Sequence, residues 1–419
     1  MWMGDLPDSQ WSKGAWTIVG AVLLALLPMA SRMPAAAAEA PPKAYVGLFK
    51  DNAVAVLDAG SGRVLRTIPV AAGPHGMVLT PDGRKLYVSG DGSSVVSVID
   101  TATDRVARTI DVGKEPHGLA LAPDGRMLLV AVNGEDRIAF VDTASEAVVA
   151  TVRVAKPHTI AVRPDGKVAY VASQAPGRFA LAMIDLAARG VVRTLALDKP
   201  PRDLEFGYDG KALYLTEAGI NAVQVLDPAS DTIVAEVPTG ASPHYASAPR
   251  GTPLGVVVVQ GPGELLLFDP ATNKPVRSVA VGKQPHWAAV STDGKTAYVT
   301  NEGSNDVSII DLTTGKTTTV AVGNAPRKVV VQAASGDTIV SISNFQFVPS
   351  VVTIAPGESV TWKNDDGAPH AVAFKDGSPG ASSLSPGTTF RRVFDQPGTY
   401  DFFCSFHNYM TGRVLVRPQ

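Results

Sequence analysis

The feature that most constrains this 419-residue chain is a unit of about 42 residues that recurs seven times. Each unit opens with a dipeptide that is usually Tyr-Val, and successive dipeptides lie 41 to 44 residues apart. An alternating apolar stretch ending in Asp, a β-branched stretch, a Pro and a further apolar stretch follow. This order predicts four short strands per unit, joined by tight turns. The dipeptides are Tyr45-Val46, Tyr87-Val88, Leu129-Val130, Tyr170-Val171, Tyr214-Leu215, Gly255-Val256 and Tyr298-Val299.

The two ends of the repeat region are incomplete in complementary ways. Residues 45–70 hold only three strands of a unit, whereas residues 328–332 are a leftover innermost strand. Seven blades can therefore close into a ring in which one blade is built from both ends, and closure removes the exposed edges of an open array. The expected fold class is all-β, with a seven-bladed β-propeller over residues 45–332.

The repeat resembles the YVTN family of β-propellers. The resemblance rests on Tyr87-Val88-Ser89-Gly90 and Tyr298-Val299-Thr300-Asn301 and extends over the whole repeat region. It implies the fold and says little about function, because one fold serves many functions.

The N-terminus has the order of a secretory signal: Lys13, an apolar run over residues 15–30, and then Ala36-Ala37-Ala38. We expect a signal peptide at 1–38, a lead-in at 39–44 and a periplasmic or secreted protein. The apolar run is short for a span of about 20 residues, so the mature chain should have no membrane span if the signal is cleaved. An uncleaved anchor is the alternative.

Charge and cysteine content narrow the function classes. The formal net charge is −2, from 37 basic and 39 acidic residues, so no overall field attracts nucleic acid, and none is expected as a partner. The chain has one cysteine, Cys404, so no intrachain disulfide can form. A single thiol in an exported protein calls for another explanation.

Five of the seven histidines occupy one repeat position, directly after a proline and just before the predicted innermost strand. The other two units carry arginine there, so seven side chains should surround one mouth of the central channel. They are His75, His117, His158, His244, His286, Arg202 and Arg327.

Three interpretations of this ring stay open. Pro-His could simply start the inner strand, with the imidazole capping backbone groups at the blade junction. Converging imidazoles could instead bind a transition metal. Histidine and arginine together could also bind an anion.

Past a short small-residue linker at 333–337 the repeat stops, and residues 338–419 read as a separate β module. Alternating patterns predict a small two-sheet sandwich or barrel without a helix. The predicted strands are Thr338 to Ser343, Ser359 to Trp362, Ala371 to Phe374, Thr399 to Phe403 and Gly412 to Val416.

The lone thiol belongs to a compact cluster of soft and intermediate ligands. Cys404, His407 and Met410 share one loop with the spacing Cys-x2-His-x2-Met, and His370 lies 34 residues before the cysteine. One thiolate, two imidazoles and one thioether form the ligand set of a trigonal copper site with a long axial Met bond. Zinc would more often use further Cys or His ligands.

This module resembles the cupredoxins, and amicyanin most closely, through Val360-Thr361-Trp362, Pro369-His370, Gly398-Thr399-Tyr400-Asp401 and the Cys404 to Met410 loop. The resemblance implies a cupredoxin-like β-sandwich and one type 1 copper. It also implies equatorial ligands His370, Cys404 and His407, an axial Met410, and electron passage through the exposed edge of His407. Two positions depart from the family pattern: Ala371 stands where Asn is common, and Phe406 where Pro is usual.

The sequence therefore predicts an exported copper-binding electron-transfer protein with an unidentified redox partner protein and a propeller that serves as a docking scaffold. Four protein ligands leave no open position for substrate, so no catalytic residue is assigned and a carrier is favoured over an enzyme. The alternative is a propeller-cupredoxin oxidoreductase with a second metal at the histidine ring. Nitrous oxide reductase, which joins a seven-bladed propeller to a copper domain, has a similar architecture.

Overall fold

The structure is a computed structural model that describes residue 1 and residues 42–416, except 82, 124, 250–251, 333–337, 355–357 and 395. The predicted signal peptide, apart from its first residue, and the predicted linker lie outside the described residues. The described part is built from β-strands, with one short 3-10 turn at Asn133–Glu135. In this part no helix is long and apolar enough to cross a membrane.

The described residues of the repeat region form twenty-eight strands. In chain order they are β1 (Lys43–Leu48), β2 (Ala53–Asp58), β3 (Val64–Pro69), β4 (Pro74–Leu79), β5 (Lys85–Gly90), β6 (Val95–Asp100), β7 (Arg105–Asp111), β8 (Pro116–Leu121), β9 (Met127–Val132), β10 (Arg137–Asp142), β11 (Ala147–Arg153), β12 (Pro157–Val162), β13 (Val168–Ser173), β14 (Ala180–Asp185), β15 (Gly190–Ala196), β16 (Pro201–Phe206), β17 (Leu213–Glu217), β18 (Ala222–Asp227), β19 (Thr232–Pro238), β20 (Pro243–Ser247), β21 (Gly255–Val259), β22 (Glu264–Asp269), β23 (Lys274–Ala280), β24 (Pro285–Val290), β25 (Thr296–Asn301), β26 (Asp306–Asp311), β27 (Thr317–Ala321) and β28 (Pro326–Val331).

These strands form seven antiparallel four-stranded sheets, which we number as blades 1 to 7. Blade 1 has the order β28-β1-β2-β3, and each later blade takes four consecutive strands, ending with β24-β25-β26-β27 in blade 7. Strand β28 pairs with β1 through Tyr45↔Val330 and Val46↔Val329. The ends of the repeat region therefore complete one blade, and the prediction of a closed seven-bladed propeller is confirmed.

The recurring Asp at the end of the third strand of each blade, counted from the innermost strand, closes the next turn. In blade 2, Asp100 Oδ1 accepts a hydrogen bond from the backbone N of Thr103 at 2.8 Å, and in blade 3 Asp142 accepts one from Ser145 at 2.7 Å. The same pattern occurs in the other five blades, since a short carboxylate bonds readily to the backbone that follows it.

The ring residues differ slightly in place from the sequence prediction. Each is the second residue of an innermost strand rather than the residue before it, as His75 in β4 and His117 in β8 show. The preceding proline still pairs with the neighbouring strand: Pro74 opposes Gly90, and the register then shifts before Met77 opposes Val88. The strand therefore begins at the proline and has a bulge at the ring residue.

The part of the C-terminal domain that the structure describes has nine further strands. They are β29 (Thr338–Ser343), β30 (Gln346–Val348), β31 (Val351–Ile354), β32 (Glu358–Asn364), β33 (His370–Phe374), β34 (Ala381–Leu384), β35 (Thr389–Phe394), β36 (Gly398–Phe403) and β37 (Thr411–Val416).

The C-terminal strands make two sheets with the orders β30-β29-β32-β35 and β31-β37-β36-β33-β34. Their shared core is centred on the fully buried Trp362, whose ring lies 5.1 Å from that of Phe402 and 5.6 Å from that of Phe374. The predicted all-β sandwich is confirmed. All five predicted strands are present, whereas β30, β31, β34 and β35 were not predicted.

Candidate metal centre

The loop from Cys404 to Met410 is held closed by its own backbone. The N–H of Cys404 donates to the carbonyl of Met410 at 3.1 Å, and the N–H of Met410 donates to the carbonyl of His407 at 2.8 Å. The N–H of His407 in turn donates to the carbonyl of Cys404 at 3.1 Å. Because β36 ends just before the loop and β37 begins just after it, these bonds fix a short turn between two paired strands.

His370 reaches the same cluster of side chains from a neighbouring strand of the sheet. It is the first residue of β33, which pairs with β36 through Ala373↔Phe403. Its Nδ1 lies 3.8 Å from the Sγ of Cys404, and the Nδ1 of His407 lies 3.6 Å from the same sulfur. Pairing of β33 with β36 thus brings together ligands that are far apart in sequence.

The donor atoms of His370, Cys404 and His407 all lie within 4.8 Å of one another. His370 and Cys404 are fully buried and His407 is half-buried. Met410, the fourth predicted ligand, closes the loop and is also buried. In the part of the chain that the structure describes, this is the one group of three or more His, Cys, Asp or Glu with such spacing. A buried thiol and two imidazoles converging at this distance fit a copper ion.

A carboxylate fixes the tautomer of His370. The Oδ2 of Asp366 lies 2.9 Å from His370 Nε2. Burial raises the pKa of Asp366, but hydrogen bonds from the backbone N–H groups of Phe345 and Asn344 and the contact with His370 lower it to a net value below the usual one. The ionised carboxylate can only accept, so Nε2 carries the proton and Nδ1 presents its lone pair to the thiol side.

The segment before His370 is tied to strand β34 by Asn364, and a backbone hydrogen bond links the two ligand segments. The side-chain amide of Asn364 donates to the carbonyls of Ala368 and Leu384, both at 2.8 Å, and its Oδ1 accepts from the N–H of Asp366 at 3.0 Å. Ala371 contributes to this link through its backbone alone, because its N–H donates a hydrogen bond to Cys404 Sγ at 3.3 Å. Asn364 therefore secures the segment that carries Asp366.

Aromatic side chains surround the half-buried imidazole. The ring of Phe345 lies edge-on to His407 at 4.9 Å and to His370 at 5.2 Å. Phe345, Phe406 and Tyr409 are 40, 52 and 71% exposed, respectively. An apolar surface thus adjoins the one ligand imidazole that reaches the outside.

Sequence reasoning missed Asp366 and Phe345. Asp366 lies four residues before His370, and an acidic residue that close to a predicted imidazole ligand is a detectable signal for an orienting partner. Phe345 has no such signal, because its contact with both imidazoles depends on the turn between β29 and β30.

The ring residues of the propeller do come together, but along an arc. The imidazole centroids of His75 and His117 are 3.8 Å apart, those of His117 and His158 are 3.9 Å apart, and those of His244 and His286 are 4.1 Å apart. Among the described residues, no three of these side chains bring their ligand nitrogens within 4.8 Å of one another. The structure thus forms neighbouring pairs and no three-histidine cage.

Comparisons with known proteins agree with the structure of both the C-terminal domain and the propeller. Residues 334–417 match the family of copper-binding proteins described as the plastocyanin/azurin family. Amicyanin-alpha of Methylorubrum extorquens is 36% identical over 106 residues, which are 24% of this chain and 88% of that protein. The plastocyanin of Scenedesmus fuscus is 40% identical over 84 residues, or 17% of this chain and 86% of its own.

Residues 12–155 and 86–175, which include the first part of the repeat region, match a family described as a YNCE-like β-propeller. A chain of the hydrazine synthase of Kuenenia stuttgartiensis superposes with a TM-score of 0.59 at 21% identity, covering 67% of this chain and 98% of that one. A dihydro-heme d1 dehydrogenase superposes with a TM-score of 0.56 at 17% identity, covering 73% and 78%. At these identities the likeness shows the propeller fold alone.

The C-terminal sandwich and its buried thiol-imidazole group define a cupredoxin, the class of protein that uses a type 1 copper for electron transfer. Through this domain the chain belongs to the plastocyanin/azurin family of copper-binding proteins. The predicted copper cofactor is confirmed, and the propeller precedes the copper domain in the same chain.

Proposed function

We propose that the protein is an exported electron carrier whose copper is held by His370, Cys404, His407 and Met410. The observation that carries this proposal is the cluster of three donor atoms within 4.8 Å, two of them on residues sealed from solvent. Copper bound there supplies a one-electron Cu(I)/Cu(II) couple. Four protein ligands leave no position for a substrate, which favours a carrier over a catalyst.

The chain's own residues make this site suited to repeated electron exchange. The loop hydrogen bonds, the Asn364 tie and the Asp366 contact hold the donor atoms in place before any ion binds. A site fixed in this way needs little rearrangement when the charge of the ion changes. The contact with Asp366 holds the proton of His370 on Nε2 and leaves Nδ1 to face the metal position.

His407 is the proposed port for electrons. It is the half-buried ligand, and Phe345, Phe406 and Tyr409 form an exposed apolar surface around it. Aromatic residues are enriched where proteins contact one another, and a partner seated here would bring its own redox centre close to the copper.

The test is a redox titration of the copper-loaded chain beside its Cys404→Ser variant. We expect an intense visible thiolate band that one electron per chain bleaches and that an oxidant restores. The variant should lack the band, and because Cys404 is the only cysteine, no other thiol can replace it. A band that survives in the variant, or one that does not respond to reductant, would sink the proposal.

The propeller is the proposed docking scaffold for the redox partner. The outermost strands of blades 3 to 6 carry exposed β-branched residues, which offer a partner apolar surface. They are Val148, Val149, Val191, Val192, Ile233, Val234 and Val276. A photo-cross-linker at Val192 should capture a protein that contains haem, flavin or copper, while one at the exposed Thr313 of blade 7 should not. Equal capture at both positions contradicts a docking role for this surface.

Export is proposed from the N-terminal sequence. Cleavage after the Ala36-Ala37-Ala38 stretch would leave a mature chain that begins near Glu39. Intact-mass measurement of the protein from its native host distinguishes this outcome from an uncleaved anchor, which would retain Met1 and stay with the membrane fraction.

A further inference from the structure

The contacts of the histidine ring fit the capping interpretation. The Nδ1 of His117 lies 3.1 Å from the carbonyl of His158, and the Nδ1 of His286 lies 3.1 Å from that of Arg327. A carbonyl only accepts, so each of these nitrogens donates and ties its blade to the next one. The imidazoles at two further ring positions also face the backbone of the following blade.

The residue that follows each ring residue belongs to a second layer of the propeller channel. Every blade contributes one residue to this second layer from its innermost strand, and the seven residues differ widely in chemistry. Two neighbouring blades contribute Gly76 and Gly118, whereas the other five contribute polar or aromatic side chains. These five are Thr159, Asp203, Tyr245, Trp287 and Lys328.

The two glycines leave part of the second layer without side chains. A Cβ at Gly76 would lie 2.3 Å from the carbonyl oxygen of His117, so close approach of the next blade requires glycine here. Short side chains also line the next channel position, at Ala120, Ala161 and Ala289. The result is a cavity of about 410 Å³, which lies within the roughly 300–1,000 Å³ of small-molecule sites.

Charged side chains of opposite sign face this cavity from different blades. Asp203 and Glu205 are two residues apart on β16 of blade 5, so both point to the channel. Lys328 lines the same cavity from β28 of blade 1. Blades 6 and 7 lie between these two blades in the ring, so the carboxylates and the ammonium group belong to different walls of the cavity.

These polar groups have no direct partner of opposite charge among the described residues. Asp203 is 2% exposed, and neither of its carboxylate oxygens makes a hydrogen bond of ordinary geometry. The N–H of Leu204, next in the chain, lowers its pKa less than burial raises it. The hydroxyl oxygen of Thr159 is likewise buried without a partner. Lys328 acts on Asp203 and Glu205 through space, without a hydrogen bond. Such burial is unfavourable unless a further group supplies the missing partners.

An aromatic wall holds the ammonium group of Lys328. Its Nζ lies 3.7 Å from the centroid of the Trp287 ring, and the Trp287 ring lies 4.0 Å from that of Tyr245. The face of an indole ring attracts a cation. This contact keeps the ammonium group out of an ion pair with Asp203 and leaves both charges available to a ligand.

We propose that the second layer binds a small amino acid as a zwitterion, with the ligand's ammonium group on Asp203 and its carboxylate on Lys328. A ligand that carries both charges supplies the partner that each wall lacks and adds no net charge to the cavity. Lys328 repels a simple cation, and Asp203 and Glu205 repel a simple anion. Thr159 and Glu205 offer further acceptors to the ligand's ammonium group. This site is separate from the copper centre and from the function proposed for it.

The test is calorimetric titration of the full copper-loaded chain with glycine, β-alanine and 4-aminobutanoate, whose charges lie progressively farther apart. Copper is kept as copper(I) without oxygen, because these probes chelate copper(I) poorly. We expect at least one of the three to bind at one molecule per chain. Methylammonium and acetate, which carry one charge each, should bind at least tenfold more weakly.

Variants assign the binding to the cavity. Asp203→Asn and Lys328→Gln each remove one charge with little change in size and should weaken binding of the zwitterion at least tenfold. The matched control is the pair Asp198→Asn and Lys199→Gln, two exposed residues that precede β16, and it should leave binding unchanged.

Three results would overturn the proposal: no binding of any of the three zwitterions, equal binding of methylammonium or acetate, or unchanged affinity in either cavity variant. The first two are measured on the wild-type chain and do not depend on the folding of a variant. None of these results bears on the copper site, whose ligands lie in the other domain.

Discussion

The two histidine-rich regions of this molecule gather their side chains by different means. In the cupredoxin domain, Cys404 and His407 of one loop meet His370 from a distant strand, and the donor atoms of these three residues lie within 4.8 Å of one another. In the propeller, each blade contributes one side chain, so the spacing follows the blade geometry and the imidazoles form an arc. A loop can close around one ion, whereas a repeat distributes its ligands around an axis.

The two regions also differ in the charged groups that lie beside their histidines. The cupredoxin site has Asp366 beside His370, a negative group that favours a bound cation. The propeller ring has arginines at two of its seven positions, and its imidazoles are kept neutral by burial. The first site is therefore suited to a bound cation, whereas the second places uncharged imidazoles beside positive side chains.

The largest expected effect tests whether the cupredoxin domain and the propeller unfold independently. Replacing Trp362 by Ala removes the fully buried centre of the cupredoxin core and should lower the free energy of unfolding of that domain by about 3–5 kcal/mol. Calorimetry should show one transition shifted and the propeller transition unchanged. The control is Val329→Ala in the closing strand β28, which should shift the propeller transition instead. A single shared transition in both variants contradicts this division.

Breaking the carboxylate contact of the cupredoxin site should come next in size. Asp366→Asn removes the negative charge beside His370 Nε2 and replaces one of the two acceptor oxygens by an NH2 donor, so it should weaken copper binding by about 10- to 100-fold. Asp365→Asn is the matched control, since the carboxylate of Asp365 bonds to Lys363 and Ser341. Metal competition with a chelator measures both. Equal losses in the two variants would show that Asp366 acts only through general surface charge.

The propeller channel provides a prediction that depends on pH. A cavity of about 410 Å³ inside the channel is lined by Asp203, whose two carboxylate oxygens are buried and, among the described residues, unpartnered. Burial raises the pKa of Asp203 well above 3.8. The folded chain then keeps a proton that the unfolded chain releases above pH 3.8, so stability from this group is complete at low pH and is lost as pH rises.

Asp203→Asn should remove this loss. The variant is expected to match the wild type near pH 3 and to exceed it in unfolding free energy by about 1–2 kcal/mol at pH 8. Denaturant unfolding across this range measures the difference, with the exposed Asp198→Asn as the control. A variant that is less stable than the wild type at pH 8 would mean that the charged carboxylate has a partner in the folded state.

The smallest effect concerns the apolar surface around His407. Phe406→Ser removes part of the exposed apolar surface around His407, where two copies of the protein would meet. It should slow electron self-exchange between copies by up to about tenfold, which corresponds to roughly 1.4 kcal/mol. Line broadening in nuclear magnetic resonance measures this rate. Ile339→Ser replaces a comparably exposed residue near the start of β29 and should leave the rate unchanged. Equal slowing by both variants would argue for loss of general hydrophobicity.

Much of the fold could be predicted because it is encoded in local repeats. The Tyr-Val dipeptides, the Asp turns and the incomplete ends define seven blades and their closure through β28 without any distant information. The thiol, imidazoles and thioether of the copper domain could also be predicted from the sequence, because three of these four ligands lie within one stretch of seven residues. Strand β29 has the predicted bounds, Thr338–Ser343.

The rest depends on contacts between segments far apart in sequence. Strand β31 is only four residues long, and parallel pairing with β37 stabilises it as a strand. The sequence places one ring residue in each blade, yet only the folded chain shows Arg327 lying on Phe49 and His286 approaching His75. The contact of Phe345 with both ligand imidazoles likewise arises from a turn whose path the pattern does not specify.

Electron paramagnetic resonance of the copper(II)-loaded chain, recorded on the sample used for the visible spectrum, tests the central claim most directly. We expect one spin per chain with the narrow copper hyperfine splitting of a covalent thiolate bond and an intense visible band. A wide splitting without that band would place copper(II) on imidazoles alone, and it would contradict the assignment of Cys404 as the ligand that defines the site.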